Sequence, residues 1–328
     1  MQDEAPTPQS KTPPERATHG RPTSVPNRWL PGSRGMLLLF LLLVFGPALV
    51  RSVPSEISRW YAAAAAENRL AGEATRAYAN LQTALEWDPQ QAAHYLERAQ
   101  WRVEDREYEA ALADVTKAIE LGGQNAATLA TRSNALQHLD RHAEAIADAK
   151  KIDYISQTSG EPERTTALNN LAYARAVGKL ELDEGLKSIE EAIRLLRPVP
   201  TAEAVANVTQ LRLARAQLLS MHAGWFDTRG YLLYQMGEFE KALVDLESAI
   251  SDAKTSLDLI KKEKLAELLP AGSATQPERY IEELEKSLAV LHYHRSLVYD
   301  QLDRGADAKK DRARVKALIG REPDEHMF

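Results

Sequence analysis

The sequence predicts an all-α protein, an α-solenoid of helix–turn–helix repeats preceded by one N-terminal transmembrane helix. Two observations predict it. A two-helix amphipathic pattern, with small and large residues at fixed offsets, recurs through residues 58–320, and one uninterrupted apolar run stands at 36–50 between Arg34 and Arg51. Stacked repeats of this kind bury a continuous core that no single repeat could bury alone.

The clearest repeat lies at residues 223–250, AGWFDTRGYLLYQMGEFEKALVDLESAI. Phe226, Gly230 and Leu233 share one helix face, and Ala242, Leu246, Ala249 and Ile250 share another, with Gly237 between them. Small residues on such faces let two helix backbones approach closely. With Phe226, Gly230, Gly237, Phe239, Ala242 and Ala249 in place, the window resembles a tetratricopeptide repeat, a unit of about 34 residues. The resemblance, to the membrane-anchored bacterial type of that family, implies a right-handed stack of units with an inner groove that holds a protein or peptide.

The same offsets recur upstream. Residues 92–125 supply Tyr95, Ala99, Tyr108, Ala111, Val115, Ala118 and Leu121; residues 58–91 supply Gly72, Ala77, Leu81, Ala84 and Asp88-Pro89. Residues 126–159 give Leu129, Ser133, Leu139, Ala145, Ala149 and Ile152, which makes three units contiguous and in register. A fourth unit, about 165–198, keeps Leu171, Ala172, Gly185, Ile189 and Ala192 with an extra residue in its turn. The 223–256 unit follows, and a last one, about 289–320, keeps Tyr299, Leu302, Ala308 and Val315 but has Arg312 at an apolar position, as suits a terminal cap. Five or six units result.

Two stretches depart from the family pattern. Residues 201–222 contain no helix breaker, so the first helix of the Phe226 unit is expected to begin far upstream. Residues 251–288 extend its second helix through Leu257, Ile260 and Leu265 to Leu268, turn at Pro270, Gly272 and Pro277, and resume at Ile281, Leu284 and Leu288. The expectation is a helical hairpin projecting beyond the repeat body.

At the N-terminus, residues 36–53 read as a transmembrane signal anchor. The apolar run is short for a roughly 30 Å hydrocarbon core at 1.5 Å rise per residue, and snorkelling of Arg34 and Arg51 makes up the difference. A cleaved signal peptide is the alternative, which would leave a secreted soluble binding protein; the long lead and the placement of Arg51 oppose it. Arg21, Arg28 and Arg34 before the run, against Arg51 and Arg59 after it, favour a cytoplasmic N-terminus and a repeat domain outside the cytoplasm, in a periplasm-like space. Residues 1–35, rich in Pro, Ser and Thr, are expected to be a disordered cytoplasmic tail, and residues 321–328 a C-terminal tail.

Composition removes several function classes. Residues 1–51 carry six basic and three acidic side chains, so the overall −6 leaves −9 on the remainder, a poor match for nucleic acid. Zero cysteines exclude disulfides, a thiol nucleophile and a lipoprotein-type anchor. No His-Glu-x-x-His, Gly-rich phosphate loop or Gly-x-Ser-x-Gly elbow is present. His138 and His142 flank a turn at Asp140 without the third and fourth ligands a metal site needs, and His292 and His294 are expected to be one groove residue and one packed residue. Acid pairs such as Glu190-Glu191 and Glu282-Glu283 read as solvated helix faces. The sequence therefore predicts no enzyme, no catalytic residue, no cofactor and no metal.

What remains is binding. Carried over from the family residue by residue, the groove would hold Leu96 and Gln100, then Ala130, Asn134 and Gln137, then Asn169, Asn170 and Tyr173, then Asp227, Tyr231 and Tyr234, then Tyr293. Amides suit a peptide backbone, and tyrosine offers apolar area with a polar tip. Family members that grip chaperone C-terminal carboxylates use lysines and an arginine beside asparagines; Asn134 has no such lysine neighbours, so that activity is not expected. The reading is a membrane-tethered, non-catalytic scaffold for a protein or peptide partner, with an accessory subunit of an enzyme or membrane assembly, or self-association, as alternatives.

Overall fold

The computed structural model describes residues 33–158, 160–205, 208–268 and 277–323. The chain divides into two units, Met1–Val53 and Pro54–Phe328. Helix α1 is Ser33–Leu70. In the first unit Met36, Leu37, Phe40, Leu41, Leu43 and Val44 are exposed along it. No helix among the described residues is long and apolar enough to cross a membrane. Residues 1–32 of the expected tail, and 324–328 at the other end, lie outside the described residues.

In the second unit the remainder of α1 is followed by α2 (Ala74–Trp87), α3 (Ala92–Glu104), α4 (Tyr108–Glu120), α5 (Ala126–His138), α6 (His142–Ser156), α7 (Glu161–Gly178), α8 (Leu182–Arg194) and the short α9 (Ala202–Val205). Then come α10 (Thr209–Gln235), α11 (Phe239–Lys262), a 3-10 turn at Leu265–Leu268, α12 (Pro277–Gln301) and α13 (Gly305–Ile319). No strand occurs among the described residues. From α2 to α8 each helix packs on the next, α8 then packs on α10, and α10 to α13 again pack in order; the first helices of successive repeats also touch in the order α3, α5, α7, α10, α12. That second line of contacts makes an inner layer and gives the stack its solenoid character.

Local chemistry sets the period. Helices α2, α4 and α6 begin at Ala74, Tyr108 and His142, and the turn before each holds one left-handed residue, Gly72, Arg106 or Asp140. Gly237 and Asp303 do the same before α11 and α13. In the fourth repeat the extra turn residue shows as two left-handed positions, Lys179 and Glu181. Asn125 caps α5 by accepting from the Thr128 backbone N–H, while Thr128 Oγ1 accepts from the Asn125 N–H.

Within each repeat the packing follows the small-residue pattern. Ala99, Ser133, Ala172, Gly230 and Ser296 on the first helices are buried, as are Ala111, Ala145, Gly185, Ala242 and Ala308 on the second. Beside these positions four repeats carry a bidentate ion pair not singled out in the sequence analysis: Arg98 with Asp114, Arg132 with Asp148, Arg229 with Asp245 and Arg295 with Asp311. Every pair spans 16 residues, with both hydrogen bonds at 2.6–2.9 Å. The fourth repeat has Leu171 and Ser188 at the equivalent positions, and Arg175, one turn on, donates to Ser188 Oγ and pairs with Glu181 instead.

The region expected to project as a hairpin involves three helices. The first half of α10, the second half of α11 and the first half of α12 enclose Ala216, Leu257, Ile260, Leu265, Leu284 and Leu288, with Leu213, Tyr280 and Ile281 packed against them. Ser256 Oγ donates to the Ala216 carbonyl at 2.7 Å inside this cluster, and Arg212 pairs with Glu263. Each buried aliphatic side chain contributes about 1.5–3 kcal/mol, ample to hold these helices on the repeat body. Pro270 and Gly272 of the expected turn lie outside the described residues. The start of α12 returns to the second repeat, where Arg279 pairs with Glu104, which also binds Arg69.

Two glycines of α10 should respond oppositely to alanine. A methyl at Gly230 would sit 2.9 Å from Leu246 Cγ, a fully buried wedge, whereas at Gly224 it meets nothing within 4 Å. Helix propensity favours alanine by about 1 kcal/mol at either site, and overpacking costs about 1–3 kcal/mol at the first. Gly230→Ala should therefore lower, and Gly224→Ala raise, unfolding stability by roughly 1 kcal/mol in urea titrations.

Candidate functional site

The inner layer surrounds a cavity of about 770 Å³ to which four successive first helices contribute. From α5 come Ala130, Asn134, Gln137 and His138; from α7 Asn170, Tyr173 and Val177; from α10 Tyr231, Tyr234 and Gln235; from α12 Tyr293 and Leu297. Asp140, His142 and Lys179 close one rim, and Ala149 and Ile152 of α6 supply apolar floor. Of the residues expected in a groove, Ala130, Asn134, Gln137, Asn170, Tyr173, Tyr231, Tyr234 and Tyr293 converge here. Asn169 and Asp227 face a second, smaller cavity behind Tyr173. Leu96 and Gln100 stand on α3, which lines neither, and Gln100 is exposed.

The helix period explains this sorting. Asn134 and Gln137 lie three apart on α5, as do Asn170 and Tyr173 on α7 and Tyr231 and Tyr234 on α10, so each pair presents one face to the same space. The residues differ in how far they belong to the core. Asn134 and Asn170 are exposed, Gln137 and Tyr173 partly buried, whereas Tyr231 is 5% exposed and packs into the fourth and fifth repeats. Tyr231 stacks on His294 at 4.3 Å between centroids and lies 6.0 Å from the Tyr234 ring. It is a wall of the cavity held by packing.

His292 and His294 differ from the expected split between groove and packing, since both are buried, at 3% and 1% exposure. Each has an acid as partner. His292 Nδ1 lies 2.7 Å from Asp311 Oδ1, and His294 Nδ1 lies 2.7 Å from Asp227 Oδ1, joining α12 to α10. Opposite faces of α12 therefore find separate carboxylates. Hydrogen bonds from Arg295 and His292 outweigh burial and hold Asp311 below the usual carboxylate range. His138 stacks on Tyr108 at 4.2 Å, and among the described residues no three His, Asp or Glu side chains converge as metal ligands.

With one acid and one lysine at its rim, the cavity has little net charge amid an acidic body, and its walls are amide, phenol and methyl groups. Such a surface offers donors and acceptors to a peptide backbone and apolar area to its side chains. Among the described residues it presents no nucleophile paired with a base.

A model search finds no matching protein family, and no curated protein matches the chain. Solved structures with a similar arrangement include PilF of Pseudomonas aeruginosa, 18% identical over 81% of this chain and 94% of that one, with a TM-score of 0.42. BtubC from P. vanneervenii is 15% identical over 80% and 95%, with a TM-score of 0.43. A tetratricopeptide repeat protein from Parabacteroides merdae is 15% identical over 80% and 94%, with a TM-score of 0.42.

The cavity tyrosines give the fold an alkaline limit. Burial pushes the Tyr231 phenol up to about 12 and the Tyr173 phenol well above its ordinary value, with Asp227 adding to both. A raised folded-state pKa contributes stability that is fully present below the unfolded value of about 10 and is lost as pH rises through the folded one. For Tyr231, stability should decline between pH ~10 and ~12 by about 1.4 kcal/mol per pH unit. Tyr231→Phe should flatten that slope in denaturant titrations, and phenolate absorbance should lag that of exposed tyrosines.

Proposed function

We propose that this tetratricopeptide-like solenoid is a membrane-tethered, non-catalytic adaptor that holds an extended segment of a partner protein along the first helices of its third to sixth repeats. The convergence of Asn134, Gln137, Asn170, Tyr173, Tyr234 and Tyr293 on one 770 Å³ cavity carries the reading. Amides spaced along the inner layer match the repeating donors and acceptors of an extended backbone, and the tyrosines supply contact area at low entropic cost. The weak net charge of the lining favours a segment whose groove-facing residues are mostly uncharged.

Residues 36–53 are proposed as the tether, with the N-terminus cytoplasmic and the repeats on the other side. Confinement to a layer beside the membrane raises the effective concentration of partners in the same membrane and lowers the affinity the groove must supply.

The exposed amides give a test that spares the core. Proximity crosslinking in native cells, wild type beside an Asn134→Ala, Gln137→Ala, Asn170→Ala variant, should show one partner depleted at least about tenfold, the effect of losing three hydrogen bonds of roughly 0.5–1.5 kcal/mol each. A partner set unchanged in a variant that melts like the wild type would move the binding surface elsewhere.

The absence of cysteine makes orientation directly measurable. A single Gln9→Cys should be shielded from an impermeant maleimide in intact cells, and a single Lys310→Cys labelled. The reverse pattern would overturn the orientation, and release of the chain by carbonate washing would overturn the tether.

A further inference from the structure

Behind Tyr173, helices α7, α10, α11 and α12 line a second, half-open chamber of about 290 Å³. Asn170 and Tyr173 line both this chamber and the large cavity, so it is a side pocket of the groove. Its volume is at the lower end of small-molecule sites, the scale of one amino-acid side chain. Ser220, Ala223, Gly224 and Ala253 keep it open, and a methyl group on Gly224 would touch nothing within 4 Å.

One charged residue lines this chamber, Asp227, and it is only 7% exposed. Its Oδ1 accepts from His294 Nδ1 at 2.7 Å, and no other hydrogen bond or ion pair reaches the carboxylate among the described residues. The second oxygen has no partner within the described protein and keeps access to solvent. Asn169, also in the lining, has its Oδ1 buried and without a hydrogen-bond partner. Buried amide oxygens are ordinarily satisfied, so this one buried acceptor without a donor, beside a solvent-accessible carboxylate oxygen with no protein partner, suits a donor-rich cation. Lysine carries three N–H donors and no acceptor, and arginine five. Long stems of this kind lie well along small apolar walls while the head finds its charge.

We propose that the chamber receives a lysine or arginine side chain of the peptide held in the groove. The cationic head meets the free Asp227 oxygen and, after rotation of its amide, Asn169 Oδ1, while the methylene stem lies along Ala223, Gly224 and Leu291. The inference rests on the groove reading above and adds a specificity: one fixed cationic position in an otherwise uncharged segment. The acidic repeat body attracts such a segment at long range.

The test is selection of a displayed library of random linear peptides on the immobilised full chain in detergent, followed by affinity measurement with synthetic peptides. Peptides retained by the wild type, and lost by the Asn134→Ala, Gln137→Ala, Asn170→Ala variant, should share one Lys or Arg position. Replacing that residue by norleucine should weaken binding to the wild type about tenfold or more, one decade being about 1.4 kcal/mol, yet change nothing on Asp227→Asn. Gly224→Leu, which fills the chamber and leaves the Asp227–His294 pair intact, should erase the same preference and covers the case in which Asp227→Asn does not fold. Agmatine should compete with the wild-type peptide and have no effect on its norleucine form.

Groove-bound peptides with no shared cation would overturn the chamber assignment and leave the groove standing. So would an equal norleucine penalty on wild type and Gly224→Leu. Failure of the wild type to retain any peptide would sink the groove reading and this inference together.

Discussion

The architecture depends on how closely two antiparallel helices of one repeat can approach. Ala99, Ser133, Ala172, Gly230 and Ser296 set that distance from one side, and Ala111, Ala145, Gly185, Ala242 and Ala308 from the other. Larger side chains at these points would separate the helices and shift every repeat beyond them. The Arg–Asp pairs stand beside the small residues in four repeats and fix the register of that approach. Their net stabilisation over an apolar pair is small, because desolvation offsets most of the Coulomb gain. Their bidentate geometry tolerates little sliding of one helix along the other.

The departure in the fourth repeat has consequences for the cavity. With Leu171 and Ser188 at the clasp positions, Arg175 turns to Ser188 and Glu181, and the turn gains a second left-handed residue. Lys179, one of those two, stands at the rim of the groove, and the same helix sends Asn170 and Tyr173 into the wall between both cavities.

Lengthening of α10, α11 and α12 extends the solenoid in another direction. The added turns build their own apolar cluster around Leu257, Ile260 and Leu284, and in doing so they roof the smaller chamber. The Asp227–His294 pair then links α10 to α12 at the base of that roof. The apolar cluster and part of the chamber wall are outcomes of the same elongation.

The repeats were legible in the sequence because helix packing imposes short-range spacing. Small residues at fixed offsets, Gly72 and Gly237 at turns, and apolar stripes of period 3.6 are properties of a local pair of helices, and a local pattern records them. The Arg–Asp clasp was equally present as a 16-residue interval and was missed because charged residues on helices usually signify solvated faces. Positions on the inner faces followed from the same period, which is why eight of the twelve residues expected in the groove line one cavity. What the sequence left undecided is what depends on contacts between distant segments. That α12 sends His292 and His294 to two different aspartates, that Tyr231 is packed under an imidazole, that Gln100 falls short of the cavity, and that Arg279 meets Glu104 are all set by the stacking of repeats. Small angular increments between units accumulate over the whole stack, and no window of one repeat length contains their sum.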